Sequence, residues 1–189
     1  MIETIPCIIL SGGKSSRMGE DKSLLPFGAS KTLIEFQHDK LSKIFKNIYI
    51  SSKSDKFDFP CNIIYDTSEI YSPMVALQSI LQSIEEKKVF IISVDTPLVE
   101  ENTIYKLITE SSNERFDVTI CKDLEKTHNL IGVFSKNILK QIDTMLQDNN
   151  HKINTLLTQK IQLQIIPFEK GTQFVNINTK EDYLHSGKI

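Results

Sequence analysis

The sequence predicts an α/β fold in which a mostly parallel central sheet carries helices on both faces. Three observations point to it: apolar runs with no polar alternation, helical stripes between them, and a glycine-rich loop directly after the first run. Strands buried on both faces read as continuous hydrophobic runs, and such strands joined through helices build parallel sheets. With 189 residues, the chain has the length of one domain spanning 1–189, without linker, repeat or low-complexity tract.

The first strand is Ile5 to Leu10, followed by a helical face of Leu33, Phe36, Leu41, Ile44 and Phe45, then a strand over 48–50. Cys61 to Tyr65 is a further short strand. Pro73 suits a helix's first turn ahead of Leu77, Ile80, Leu81 and Ile84, and Val89 to Val94 forms the most apolar strand. Ile104, Leu107 and Ile108 mark another helix. Strands over 118–121 and 130–134 precede a helical stripe of Ile138, Leu139, Ile142, Met145 and Leu146, and the polar stretch 147–152 reads as a loop. Near the end, Phe174 to Thr179 reads as a strand running into a helix capped by Asn178 or Thr179. All these apolar stripes are read as core.

Residues 10–22 pack three glycines, three serines and three cations into one loop. Glycine lets the backbone turn with its N–H groups inward and no Cβ in the way of an anion, while Lys14, Arg17 and Lys22 add mobile positive charge. The loop is therefore suited to phosphate. It is not a P-loop, because the glycine required five positions before Gly13 is Ile8; nor is it a dinucleotide fingerprint, because its glycines stand at 12, 13 and 19.

The same residues, Leu10-Ser11-Gly12-Gly13-Lys14-Ser15-Ser16-Arg17-Met18-Gly19-Glu20-Asp21-Lys22 with Leu24 and Leu25 behind them, resemble the L-A-G-G-x-S-x-R-M-G-x-D-K signature of the molybdenum cofactor guanylyltransferases. Only Ser11 departs from it, standing for alanine. The resemblance implies a three-layer, Rossmann-like nucleotidyltransferase fold, and transfer of GMP from GTP to molybdenum-loaded molybdopterin with magnesium as cofactor. It further implies GTP and the pterin as small-molecule substrates, with transient contacts to molybdopterin-synthesis proteins and molybdoenzymes. Two rivals stand beside it. One is a cytidylyltransferase for a related phosphorylated acceptor, whose relatives carry alanine where Gly12 stands in the Gly12-Gly13 pair. The other is an inactive cofactor-binding adaptor.

Leu10, Ser11, Gly12 and Gly13 are the expected nucleotide cradle, and Arg17 and Lys22 the expected catalytic cations. Asp95 closes the most apolar strand in Val94-Asp95-Thr96-Pro97, at the carboxyl end where this architecture gathers ligands. It matches the family's D-T-P and is the candidate for magnesium, nucleotide and catalytic roles; the plain alternative is a turn before Pro97. Asp66 falls where the family binds guanosine, against the alternative of a solvated loop aspartate. Ser51 stands at a strand end where relatives have asparagine, with shorter reach. Asn176 and Asn178 match the family's N-x-N-T, and Asn178 is the expected second oxygen on the metal, with helix capping as the other role. Ser72-Pro73-Met74-Val75-Ala76 departs from the family's G-P-L-A-G, losing both glycines. His128 keeps only the histidine of an H-P pair, and a lone histidine before an apolar strand is read as structural or solvent-exposed.

Composition closes off other classes. A net charge of −2, with 40% hydrophobic and 24% charged residues, leaves no broad basic surface for duplex nucleic acid. No apolar run is long enough for a bilayer and no basic leader is visible, so a cytoplasmic location is expected. Cys7, Cys61 and Cys121 form no C-x-x-C pair and are expected to be buried, reduced thiols.

Overall fold

A computed structural model of the chain describes residues 1–12, 20–66, 68, 70–159 and 161–186, the last two by backbone alone. Seven strands form one sheet: β1 (Cys7–Leu10), β2 (Ile48–Ser52), β3 (Asn62–Tyr65), β4 (Lys88–Ser93), β5 (Val118–Lys122), β6 (Thr127–Ser135) and β7 (Leu163–Pro167). Their order is β3-β2-β1-β4-β6-β5-β7, with β3, β2, β1 and β4 parallel, β5 and β7 parallel, and β6 antiparallel to both its neighbours. The helices are α1 (Leu33–Ser42), α2 (Pro73–Ser83), α3 (Glu101–Glu110), α4 (Leu139–Gln147), α5 (Ile153–Thr158) and α6 (Lys180–Ser186).

The alternation of side chains along β1 and β4 divides the core in two. Cys7, Ile9, Phe90 and Ile92 join Leu33, Ile34 and Leu41 of α1 and Ile104 and Leu107 of α3 on one face of the sheet. Ile8, Leu10, Val89 and Ile91 join Met74, Leu77 and Ile80 of α2 and Ile142 and Met145 of α4 on the other. Each such buried large aliphatic side chain contributes about 1.5–3 kcal/mol relative to its exposed state. This explains why the central strands tolerate no polar residue on either face, and the three expected layers are present.

The connection from β1 through α1 runs to β2 on one side, whereas β3 through α2 crosses to β4 on the other. The strand order therefore reverses between the parallel strands β1 and β4, and the crevice beyond their carboxyl ends is the usual place for a ligand in an open α/β sheet. Loops leaving β1, β2, β3 and β4 converge there.

Local chemistry sets the element ends. β1 begins at Cys7 rather than Ile5, because Pro6 has no N–H to add to a ladder; its carbonyl instead accepts from Phe90 N at 2.9 Å. Thr32 caps α1 by accepting from Glu35 N, and Ser72 caps α2 by accepting from Met74 N with Pro73 next in line. Gly132 allows β6 to press against β5 at a register shift: a Cβ there would lie 2.1 Å from the Thr119 carbonyl oxygen.

Two expectations are corrected. Residues 174–179 form no strand; Gly171–Phe174 is a 3₁₀ turn, and beyond it Ile177 N donates to the Asp95 carbonyl, in the turn after β4, at 2.8 Å. The strand after α5 is instead β7, beside β5, which together with the six-residue α5 carries too short a pattern to stand out in the sequence. Cys7 and Cys121 are buried, with desolvation pushing the Cys121 thiol up to about 12, but Cys61 is only partly covered just before β3. All three are free thiols.

Candidate active site

The loop after β1 and the turn after β4 leave the sheet side by side, tied by Val94 N to the Leu10 carbonyl at 3.0 Å. Lys22 opens a short 3₁₀ turn whose N-cap, Asp21, accepts from the backbone and hydroxyl of Ser23 and pairs with Lys56. Burial would raise the Asp21 pKa, but the hydrogen bonds from Lys56 and Ser23 outweigh it and hold the carboxyl below its ordinary value. The turn so fixed aims Lys22 inward.

Lys22 Nζ lies 2.8 Å from Asp95 Oδ2, 3.2 Å from Asn178 Oδ1 and 3.4 Å from the Ile177 carbonyl oxygen. Three distant chain segments thus meet at one ammonium. The Lys22 and Asp95 side chains are only 17% and 14% exposed, so this pair is no solvated surface contact. Asp95 Oδ1 is buried and has no hydrogen-bond partner among the described residues. A buried carboxylate oxygen without a donor is under-satisfied. With Asn178 Oδ1 and the Ile177 carbonyl, it gives a cluster of hard oxygens of the kind a magnesium ion takes alongside phosphate oxygens and waters. The residues present therefore fit a divalent cation with one protein carboxylate. No group of three or more His, Cys, Asp or Glu able to hold a metal occurs among the described residues.

Capping falls to Thr179 rather than Asn178. Thr179 Oγ1 accepts from Asp182 N at 3.1 Å, while Asp182 Oδ2 accepts from the backbone N–H groups of Asn178 and Thr179, a reciprocal capping box. The Asn178 side chain is thereby left to Lys22. Asn176, half-buried two residues earlier, is not among the partners of Lys22.

A cavity of about 710 Å³ opens at the carboxyl ends of β1, β3 and β4, lined among others by Leu10, Gly12, Asp66, Tyr71, Pro73 and Ser93. Its size suits a nucleotide-scale ligand. Asp66, at the carboxyl end of β3, accepts from Ser51 Oγ at 3.2 Å. Burial pushes its carboxyl above the ordinary range, against the Ser51 hydroxyl and the nearby Lys53 ammonium, which pull it down. Ser51 itself is buried and directs its hydroxyl at Asp66, orienting that carboxylate. Ser11 is also buried, its backbone N–H on the Ser51 carbonyl at 3.0 Å and its Oγ without a partner among the described residues. Gly12 faces the cavity, where an added Cβ would meet nothing nearer among the described residues than Asp66 Oδ2 at 4.0 Å. Gly13 and Arg17, together with Lys14 to Ser16, Met18 and Gly19, lie outside the described residues.

His128 lies away from this cluster. Its ring stacks on Phe174 with centroids 4.4 Å apart and pairs with Asp123 at 3.0 Å, a buried structural role. Sequence reasoning missed Lys53, Gln37 and Lys40. Lys53 donates to the Ser68 carbonyl and lies 4.6 Å from the centre of the Tyr71 ring, spanning the cavity mouth. No motif surrounds these three, and only the folded geometry brings them to the site.

An α/β sheet that gathers a half-buried lysine, a carboxylate and a second carboxylate-lined cavity at its parallel strand ends has the design of a nucleotidyltransferase. The MobA-like NTP transferase domain matches residues 7–163. Two molybdenum cofactor guanylyltransferases are similar along nearly the whole chain: that of Campylobacter jejuni strain RM1221 is 40% identical over 96% of this chain and 95% of its own, and that of Helicobacter pylori strain 26695 is 32% identical over 97% and 92%. The molybdopterin-guanine dinucleotide biosynthesis protein A of Archaeoglobus fulgidus shares the fold, with a TM-score of 0.83 at 19% identity over 97% of both chains. The chain belongs to the molybdenum cofactor guanylyltransferase family. Nucleotidyltransferases of this kind generally use a divalent metal, and no described helix is long and apolar enough to cross a membrane.

Proposed function

We propose that this protein transfers GMP from GTP to the terminal phosphate of molybdenum-loaded molybdopterin, forming the guanine dinucleotide cofactor and releasing pyrophosphate. The single observation that carries the residue assignment is the meeting of Lys22, Asp95 and Asn178 after β4, whose last residue, Ser93, lines the nucleotide-sized cavity. An oxygen of the acceptor phosphate attacks the α-phosphorus of GTP as the bond to the bridging oxygen of pyrophosphate breaks. That nucleophile is already anionic, so no strong general base is required and catalysis reduces to in-line placement and charge neutralisation.

Lys22 is the cation on the triphosphate: its ammonium, held by Asp95 in the free protein, can exchange a carboxylate for phosphate oxygens with little movement. Asp95 Oδ1 and Asn178 Oδ1 would hold magnesium, which when bound neutralises charge on the α-phosphate and the departing pyrophosphate. Asp66 accepts hydrogen bonds from the guanosine, and Ser51 fixes the direction of its carboxylate. Leu10, Ser11 and Gly12 bring main chain against the nucleotide; Gly13 and Arg17 are assigned to it by the sequence motif alone. The nucleotide supply and the absence of any need for an oxidising compartment favour the cytoplasm. The product would pass to a molybdoenzyme by transient contact.

The test is a nucleotide panel: purified protein, magnesium, each nucleoside triphosphate and molybdenum-loaded molybdopterin, with pyrophosphate release as the readout. Release that requires the pterin and occurs with GTP alone is expected. Equal use of CTP would overturn the guanylyl assignment, and release without the pterin would overturn the acceptor.

A further inference from the structure

Asp95 stands in the 93–99 turn, and the main-chain carbonyls of that turn are gripped from beneath by α1. Gln37, 1% exposed, directs Nε2 at the Ser93 carbonyl at 3.1 Å and the Thr96 carbonyl at 3.2 Å. Three residues on, and so on the same face of the helix, Lys40 donates Nζ to the carbonyls of Pro97 and Val99. The same helix is joined at its start to the Lys22 segment, Leu33 N donating to the Leu25 carbonyl at 2.7 Å. One rigid element therefore sets the position of both the cation and the carboxylate.

Neither side chain is what packing alone would select. Carbonyl oxygens only accept, so the amide of Gln37 must turn its NH₂ to the turn, leaving Oε1 buried with no partner among the described residues. Burial lowers the pKa of Lys40, against Glu101 and Glu100, which raise it. Leucine or methionine would fill the same space without a buried unpartnered Oε1 or a half-buried charge, but would strip the turn's carbonyls of these donors. The property they lack is a donor for the turn.

We infer that Gln37 and Lys40 are positioning residues that hold the 93–99 turn, and with it Asp95, in the geometry that receives the metal and triphosphate. This rests on the reading of Asp95 given above. Groups behind a metal ligand orient it, and their removal typically costs 10–100-fold in metal affinity or activity.

The test compares the unmodified protein with Gln37→Leu and Gln37→Glu, reading thermal midpoint, Mn²⁺ affinity by electron paramagnetic resonance with GTP present, and kcat and KM for GTP. Gln37→Leu should lower the thermal midpoint by no more than a few degrees, for the lost bonds to the turn, while in the folded protein Mn²⁺ affinity and kcat fall by about 10–100-fold and KM for GTP stays within about threefold. Gln37→Glu, nearly the same shape but facing carbonyls with a carboxylate, should lose at least as much, and it answers the question if the leucine variant does not fold. A folded variant with unchanged Mn²⁺ affinity and kcat overturns the inference, as does a parallel loss of midpoint and kcat with Mn²⁺ affinity intact in the folded fraction. If the unmodified protein turns over no GTP, the functional reading fails, and the Mn²⁺ titration still decides the role of Gln37.

Discussion

Lys22 Nζ and Asp95 Oδ2 lie 2.8 Å apart although 73 residues separate them in the chain. Under the proposed function, the pair holds the cation assigned to the triphosphate against the carboxylate assigned to the metal until substrate separates them. Asp95→Asn keeps the volume and a hydrogen-bonding oxygen but removes the charge. Pterin-dependent turnover should fall by on the order of hundredfold or more, as for loss of one preorganised charge-stabilising group, with circular dichroism unchanged. Near-normal turnover by the folded variant would remove Asp95 from the mechanism.

Lys22→Ala should lose turnover by a similar factor and also some stability. The sequence gives Lys22 the look of an exposed side chain of little energetic weight, but its ammonium bridges Asp95, Asn178 and the Ile177 carbonyl. Removing it leaves the half-buried Asp95 without its countercharge, for which about 1–3 kcal/mol is expected. For a chain of this length that is roughly 2–4 °C in the thermal midpoint per kcal/mol. Turnover at wild-type level in the folded fraction would make Lys22 purely structural.

The parts of this site legible in the sequence are those carried by local pattern. The glycine-rich loop announces itself by composition, and Asp95 by its place after an unbroken apolar strand. What brings Asn178 to Lys22 is not local: it depends on the 3₁₀ turn at Gly171–Phe174 and on Gln173, whose Oε1 accepts from Glu100 N and Thr103 Oγ1 and ties the tail to α3. The tail's alternation of Val175 and Ile177 with asparagines imitates a strand, yet β7 already occupies the position beside β5. Gln37 and Lys40 were invisible for a related reason. On a helical face they read as solvated polar positions until the 93–99 turn is packed over them.

Asp123 offers a pH test independent of catalysis. Backbone N–H groups of Lys126 and Glu125 and the His128 ring hold its carboxyl at about 2, below the ordinary 3.8, with burial opposing them. A depressed carboxylate stabilises the fold above its unfolded value, and the gain is lost as pH falls through the folded value. Asp123→Asn should therefore cost about 1–2 kcal/mol of stability at pH 7 for the lost charge-assisted bonds, read as a lower thermal midpoint. The gap to the unmodified protein should narrow between about pH 4 and 2. A gap that stays constant over this range would mean the ionised carboxylate is not what secures the His128 and Phe174 stack.

Gly12 allows the approach of the nucleotide to be separated from the stability of the loop. Among the described residues a Cβ there meets only Asp66 Oδ2 at 4.0 Å, and its backbone is not in the left-handed region, so these residues leave room for alanine. Gly12→Ala should leave the thermal midpoint nearly unchanged while penalising the larger ligand, because the added methyl occupies cavity space between main chain and purine. The unmodified protein should prefer GTP to CTP. A steric difference of about a methylene is worth 10–200-fold, whereas discrimination through hydrogen bonds to Asp66 can reach about 10⁴. If the preference is steric, Gly12→Ala should erase most of it, and Asp66→Asn should change it little. If it resides in hydrogen bonding, Asp66→Asn should collapse it and Gly12→Ala should raise KM for both nucleotides alike. Specificity constants for GTP and CTP in the three proteins distinguish these outcomes, and equal constants in the unmodified protein would leave a nucleotidyltransferase without guanine selectivity.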